Sequence, residues 1–189
     1  MHATKVVSAG EGGAITTDDE ELAERLHYTR GFGFAGYDTV VALGMNAKMD
    51  ELSAALALSS LEHLDELVAT NVRNHRAYGE GLAGVHGVRL LRYDENERHN
   101  HQYVVLEVDG PLERDDLVAA LHAENVLARR YFHPGCHRAP PYSARALTLE
   151  VTERVSERVL ALPTGTAIEE SDIEVICSII ALAAEHARA

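Results

Sequence analysis

The first residue able to do covalent chemistry is Lys5, in the string His2-Ala3-Thr4-Lys5, followed by Gly10-Glu11-Gly12-Gly13-Ala14-Ile15-Thr16-Thr17. A lysine deprived of water loses its proton more readily, and the neutral amine attacks a carbonyl carbon to give a Schiff base. Position alone favours a solvated lysine; the glycine string beside it opens the second reading. Asn46 precedes a long helical pattern, where an amide serves as a helix cap. Arg129 and Arg130, taken alone, are arginines facing water from a strand. Tyr131, His133, Cys136 and His137 follow closely, and His99-Asn100-His101 forms another histidine group. None of these spacings matches a standard zinc pattern, so no metal is expected.

The elements that must position these residues can be read from periodicity and punctuation. Val6-Val7 and Ala14 to Thr17 are β-favouring runs joined by glycines, which predicts a hairpin with Lys5 at a strand start. Asp18 and Glu21 stand at capping-box spacing and predict a helix over 19–30. Glycines interleaved with Phe32, Phe34 and Tyr37 make 31–44 a shaped loop. From Asn46 a helical period carries Leu61, Leu64, Val68, Val72, His75 and Tyr78 on one face, predicting a long linking helix that ends among Gly79, Gly81, Gly84 and Gly87. Strands are expected over Val88 to Tyr93, Tyr103 to Val108 and Val126 to Phe132. Between the last two lies a helix, Glu113 to Glu124, with Leu117, Ala120 and Leu121 inward. A loop from His133 to Tyr142 leads to helices over Thr152 to Leu160 and Ser171 to His186. A Ser171 to Glu174 capping box opens the latter, and Ile173, Ile176, Cys177 and Ile180 share one of its faces, which makes Cys177 a core residue. The fold class is α/β, with residues 1–81 and 82–189 as two bodies.

Composition narrows the function. The chain has 189 residues, 46% of them hydrophobic and 25% charged, which is ordinary for a globular protein. At roughly 150 residues per domain this allows one domain or two small ones. A net charge of −13 leaves no basic stripe for a polyanion, so nucleic acid and anionic membrane are not expected as partners. Two cysteines without paired spacing fit a reducing, cytoplasmic setting, and no leader or membrane span is expected.

Four ordered segments carry a specific resemblance. Beside the lysine and glycine string stand Gly44-Met45-Asn46-Ala47-Lys48-Met49-Asp50-Glu51-Leu52 with Ala54-Ala55-Leu56, then Ala128-Arg129-Arg130-Tyr131-Phe132 with Pro134-Gly135-Cys136-His137, then Arg158-Val159-Leu160-Ala161-Leu162-Pro163. Together they resemble the DegT/DnrJ/EryC1/StrS family of pyridoxal-phosphate sugar aminotransferases. The resemblance spans this chain but only about the carboxy-terminal half of a family member. It implies part of an aspartate aminotransferase-like fold, with a partial large domain and linking helix over 1–81 and a small α+β domain over 82–189.

By the same resemblance, Lys5 matches the lysine that bonds the cofactor aldehyde and moves the substrate proton, and Asn46 matches a donor to the cofactor phosphate of a neighbouring subunit. Arg129, Tyr131, His133 and His137 match the side that approaches the nucleotide sugar. The implied activity is amino transfer, with glutamate as donor, to a dTDP-linked keto-6-deoxyhexose. Two alternatives stand beside it: a keto-cyclitol substrate, and an inactive truncated or split fragment that acts only as a partner. A homodimer, or a complement to a missing amino-terminal half, is the implied assembly.

Overall fold

A computed structural model describes residues 1–145 and 147–188, and the chain divides into two compact units, Met1–Leu64 and Asp65–Ala189.

In the first unit the expected hairpin does not form: residues 1–17 contain turns and bends but no strand. A strand needs a neighbour's edge for its ladder, and Val6-Val7 find none among the described residues. Side chains and local turns hold the segment instead. Ser60 Oγ donates to the Ser8 carbonyl at 3.0 Å, and Ala9 N–H donates to the Met1 carbonyl. Helix α1 (Glu20–Arg30) is capped by Asp19, whose carboxylate accepts from Leu22 N–H; Asp18, the expected cap, stands one residue too early. The loop that follows folds into a small antiparallel hairpin of β1 (Phe34–Gly36) and β2 (Thr39–Val40). Glycine is required where it crosses itself: a Cβ on Gly33 would stand 1.8 Å from the Ala42 carbonyl oxygen, and one on Gly44 would stand 2.2 Å from Gly33 N.

Helix α2 (Glu51–Glu62) is capped by Asp50, which accepts from Ser53 N–H at 2.9 Å. Asn46 is therefore no helix cap; it forms an isolated antiparallel bridge with Gly31. The predicted single linking helix is interrupted at His63, whose backbone leaves the helical region, and α3 (Leu64–Gly81) follows as a separate helix.

The second unit holds the core. Its sheet is antiparallel throughout, in the order β3 (Val88–Leu90), β4 (Val104–Val108), β6 (Val159–Leu162), β5 (Arg129–Arg130). Helices α4 (Arg114–Ala123), α5 (Glu150–Ser156) and α6 (Glu170–His186) complete it. Strand β4 alternates buried and half-buried residues, with Val104, Leu106 and Val108 inward. These meet Leu117 and Leu121 of α4 and Ile173, Ile176, Cys177 and Ile180 of α6. Cys177 is a core residue as expected, and burial pushes its thiol up to about 11.

Two sequence expectations are corrected here. The helix expected over Thr152 to Leu160 ends at Ser156, and Val159 to Leu162 is a central strand; a short apolar run reads the same way for both until its neighbours are known. The capping box of α6 is made by Glu169 and Asp172, two residues before the expected pair.

Polar anchors fix α3 within this unit. Tyr78 is fully buried and its hydroxyl donates to the Pro163 carbonyl at 2.9 Å; Asn74 Nδ2 donates to Gly165 O at 3.1 Å, and Asn71 Nδ2 to Asn100 O at 3.1 Å. Residues 91–103 lie along α3 through a ring cluster. His101 stands 4.3 Å from Tyr93 and 5.0 Å from His75 between ring centroids, and His75 Nε2–H donates to Leu91 O. Burial, then the charges of His75 and His99, hold His101 below the ordinary histidine value.

Two outcomes follow from this packing. Ile180→Ala, at a site with no exposed surface, should cost about 3 kcal/mol in urea unfolding, and a cost near zero would contradict the core assignment. Because His101 binds its proton less readily when folded, stability is complete above the unfolded value of about 6.5 and falls as pH is lowered through it. The urea midpoint should therefore drop between pH 7.5 and 5.5, and less so in His101→Asn; equal drops in parent and variant would remove His101 from the account.

Candidate functional site

Within the first unit, Lys5 is exposed in a turn, where its backbone N–H donates to the His2 carbonyl at 3.0 Å. His2 braces this turn from two sides. Its Nδ1 lies 3.0 Å from Thr4 Oγ1, and its Nε2 lies 3.5 Å from a Glu11 carboxylate oxygen, which ties the lysine turn to the glycine turn. Gly12 in that turn packs against the segment carrying Asn46, since a Cβ there would stand 2.3 Å from the Met49 methyl. Asn46 is exposed; its Oδ1 accepts from Lys48 Nζ at 2.8 Å, and the same ammonium sits 4.2 Å from the centre of the Phe32 ring. A cation over an aromatic face keeps its charge while its position is restricted. Lys48 was legible in the sequence only as part of a motif; the structure pairs it with Asn46.

In the second unit, β5 ends in two exposed arginines with different surroundings. Arg130 Nε donates to Asp115 Oδ1 at 2.9 Å. Asp115 also pairs with the buried Arg114, whose Nη1 donates to Ser156 O and Val159 O. Arg130's hydrogen bond, then Arg114's charge, hold the Asp115 carboxyl below its usual range. Asp115 thus offsets Arg130's charge, and among the described residues no ion pair does so for Arg129. Tyr131 is half-buried, with its ring 5.3 Å from Tyr103 and 4.6 Å from Phe132. His133 is exposed.

His137 is placed differently from its neighbours. It is buried, and its Nε2–H donates to Glu153 Oε1 at 3.0 Å, so it shapes the loop rather than offering a free ring to solvent. Arg138 reaches the same carboxylate through Nε at 3.2 Å and Nη2 at 2.5 Å. These donors hold the Glu153 carboxyl down at about 2, Arg138 contributing most, then the Leu149 backbone N–H, then His137. Sequence reading missed Glu153 because a glutamate on a short helix looks like a solvated face; only the loop returning over α5 reveals its role.

Among the described residues no group of three or more His, Cys, Asp or Glu could hold a metal ion, and no helix is long and apolar enough to cross a membrane.

Comparison with known proteins places relatives beside this chain. The chain is 32% identical over 187 residues to the dTDP-4-amino-4,6-dideoxy-D-glucose transaminase of Shigella dysenteriae, covering 95% of this chain and 50% of that protein. It is 44% identical to DesI, whose structure was determined in the presence of its TDP-sugar product, with a TM-score of 0.88 over 99% of this chain and 49% of DesI. A structure described as a putative PLP-dependent aminotransferase from Bacillus cereus ATCC 10987 aligns at 25% identity and a TM-score of 0.81, over 95% of this chain and 49% of that one. The chain thus spans about half the length of the proteins it resembles, and its α/β fold corresponds to part of theirs. The sequence model of the DegT/DnrJ/EryC1/StrS aminotransferase family matches residues 1–181, and the chain belongs to that family.

Proposed function

We propose that this chain supplies the lysine-bearing half of a pyridoxal-phosphate-dependent aminotransferase acting on a nucleotide-linked keto-deoxysugar, of the dTDP-4-keto-6-deoxyhexose type, with glutamate as amino donor. The observation that carries this reading is the packing of the Lys5 and glycine segment against the Asn46 to Met49 segment in one compact unit. Family membership and the sugar-nucleotide relatives support it.

The residues of this unit suit an aldehyde that carries a phosphate. Lys5 offers an amine for the aldehyde carbon; the Asn46 amide and the Lys48 ammonium offer a donor and a positive charge for a phosphate. When bound, the cofactor supplies an electron sink that acidifies the substrate C–H bond. Lys5, once its amine is free and neutral, removes a proton from one carbon and returns it to another, as general base and then acid. On the second unit, Arg129 grips a diphosphate oxygen pair through its guanidinium fork, while Tyr131 and His133 offer an aromatic face and a ring nitrogen to nucleotide or sugar. Arg130 serves to hold the strand through Asp115.

A second observation bears on assembly. Leu43, Leu52, Leu58 and Met45 of the first unit are exposed, Leu43 at 97%. A helix as apolar around its whole circumference as α2 belongs inside a larger body. A second copy of this chain, or a polypeptide supplying the remaining half of the relatives' length, is the partner proposed; activity then belongs to the assembly.

Two measurements test the reading. Incubation with pyridoxal phosphate and borohydride should leave a pyridoxyl label on Lys5, located by peptide mass spectrometry; equal total labelling of Lys5→Ala would show that other lysines account for it. Arg129→Ala should weaken dTDP binding in calorimetry about tenfold, and Arg130→Ala distinctly less, because Asp115 already engages Arg130. The reverse order would move the phosphate site to Arg130.

A further inference from the structure

The loop that follows β5 is closed by a single carboxylate. Residues 135–149 include two short 3-10 turns, Cys136–Arg138 and Tyr142–Arg145. Among the described residues, the backbone hydrogen bonds donated by residues 138–143 run only to carbonyls three or four residues back, so they shape the turns without tying the loop to the rest of the unit. Glu153 supplies that tie. Its Oε1 accepts from His137 Nε2, Arg138 Nε and Leu149 N–H at 3.0, 3.2 and 3.1 Å, and its Oε2 accepts from Arg138 Nη2 at 2.5 Å. These donors come from both ends of the loop, His137 and Arg138 at its beginning and Leu149 at its close. A clasp that joins the two ends removes most of the conformational freedom of the chain between them.

The clasp also fixes the residues before it. Gly135, at φ +88°, lies directly beneath His137: a Cβ there would stand 3.1 Å from both Nδ1 and Cε1 of the ring. Only Pro134 lies between His133 and Gly135, and β5 and Tyr131 precede them directly in the chain. β5 itself is held by its ladder with β6, so what depends on where the His137 ring is held is the path of the chain beyond Tyr131, through His133 to Gly135. Glu153 is well placed to hold it without interruption, since its carboxyl, held at about 2, stays ionised throughout the neutral range and keeps accepting from Arg138 and His137.

We propose that Glu153 is a positioning residue of the nucleotide-sugar site, fixing the loop through His137 and Arg138 so that His133 meets the ligand in one arrangement beside Arg129 and Tyr131, which the sheet holds. This rests on the nucleotide-sugar reading given above. Glu153 touches no ligand; it acts through the ring and the guanidinium that it holds.

Glu153→Gln keeps the shape and one acceptor but loses the charge, and Arg138→Met removes a half-exposed partner without disturbing the core, so the proposal does not depend on one variant folding. With the 189-residue chain, hydrogen exchange of peptides spanning 136–149 should accelerate in both variants, while peptides of α6 stay as protected as in the parent. With dTDP as probe, calorimetry should give an affinity loss of about tenfold for each variant. In the parent the His137 ring nitrogen resonances should shift on addition of dTDP; in Glu153→Gln that response should vanish. Faster loop exchange with unchanged dTDP affinity would make Glu153 merely structural and overturn the proposal, as would unchanged exchange. A parent chain that binds no dTDP would contradict the nucleotide-sugar reading itself, and the proposal with it.

Discussion

The constraint on which everything else rests is that the two units differ in what they can bury. In the second, β4, β6, α4 and α6 enclose Leu106, Leu117, Leu121, Leu160 and Ile180 almost completely. In the first, α1 buries no residue and α2 buries only Ala57, while leucines along the loop and helix face outward. At roughly 25 cal/mol per Å² of apolar surface, uncovered leucines forgo most of the stabilisation their burial would give. Lys5 and Asn46, the two residues proposed for cofactor chemistry, both stand on this under-covered unit. The amine proposed to react thus resides on the part of the chain with the greatest need of a covering surface.

The second unit carries its functional side chains on firmer ground, and it does so through charge. Arg114 is buried and satisfied by two backbone carbonyls, and it holds Asp115, which in turn holds Arg130. Glu153 gathers His137, Arg138 and Leu149 in the same way. Paired, hydrogen-bonded charges fix direction even when their net contribution to stability is small. Two carboxylates, Asp115 and Glu153, therefore engage the neighbouring cations Arg114, Arg130 and Arg138 in holding the scaffold, which leaves Arg129 for the proposed ligand role.

Much of this was legible in the residues. The motif order identified the family and placed Lys5, Asn46, Arg129 and Tyr131 as candidates, and the spacing of Ile173, Ile176, Cys177 and Ile180 located the buried face of α6. What failed has physical reasons. Val6-Val7 look like a strand, yet no neighbouring strand among the described residues offers an edge. Val159 and Leu160 look like the tail of a helix because a continuous apolar run carries no period. Capping positions slipped by one or two residues, from Asp18 to Asp19 and from Ser171 to Glu169, because acidic residues stand side by side at both helix starts. Glu153 escaped notice because its importance comes from a loop that returns to it, and no local pattern encodes that return.

On the proposed assembly, the lysine-bearing unit needs a covering partner, whereas the second unit has a core of its own. Hydrogen exchange of the lone chain in dilute solution tests this most directly. Amides of β4, α4 and α6 should be strongly protected, whereas those of α2, over residues 51–62, should exchange orders of magnitude faster, as in a locally unfolding segment. Protection of α2 equal to that of α6 in the dilute monomer would contradict the account.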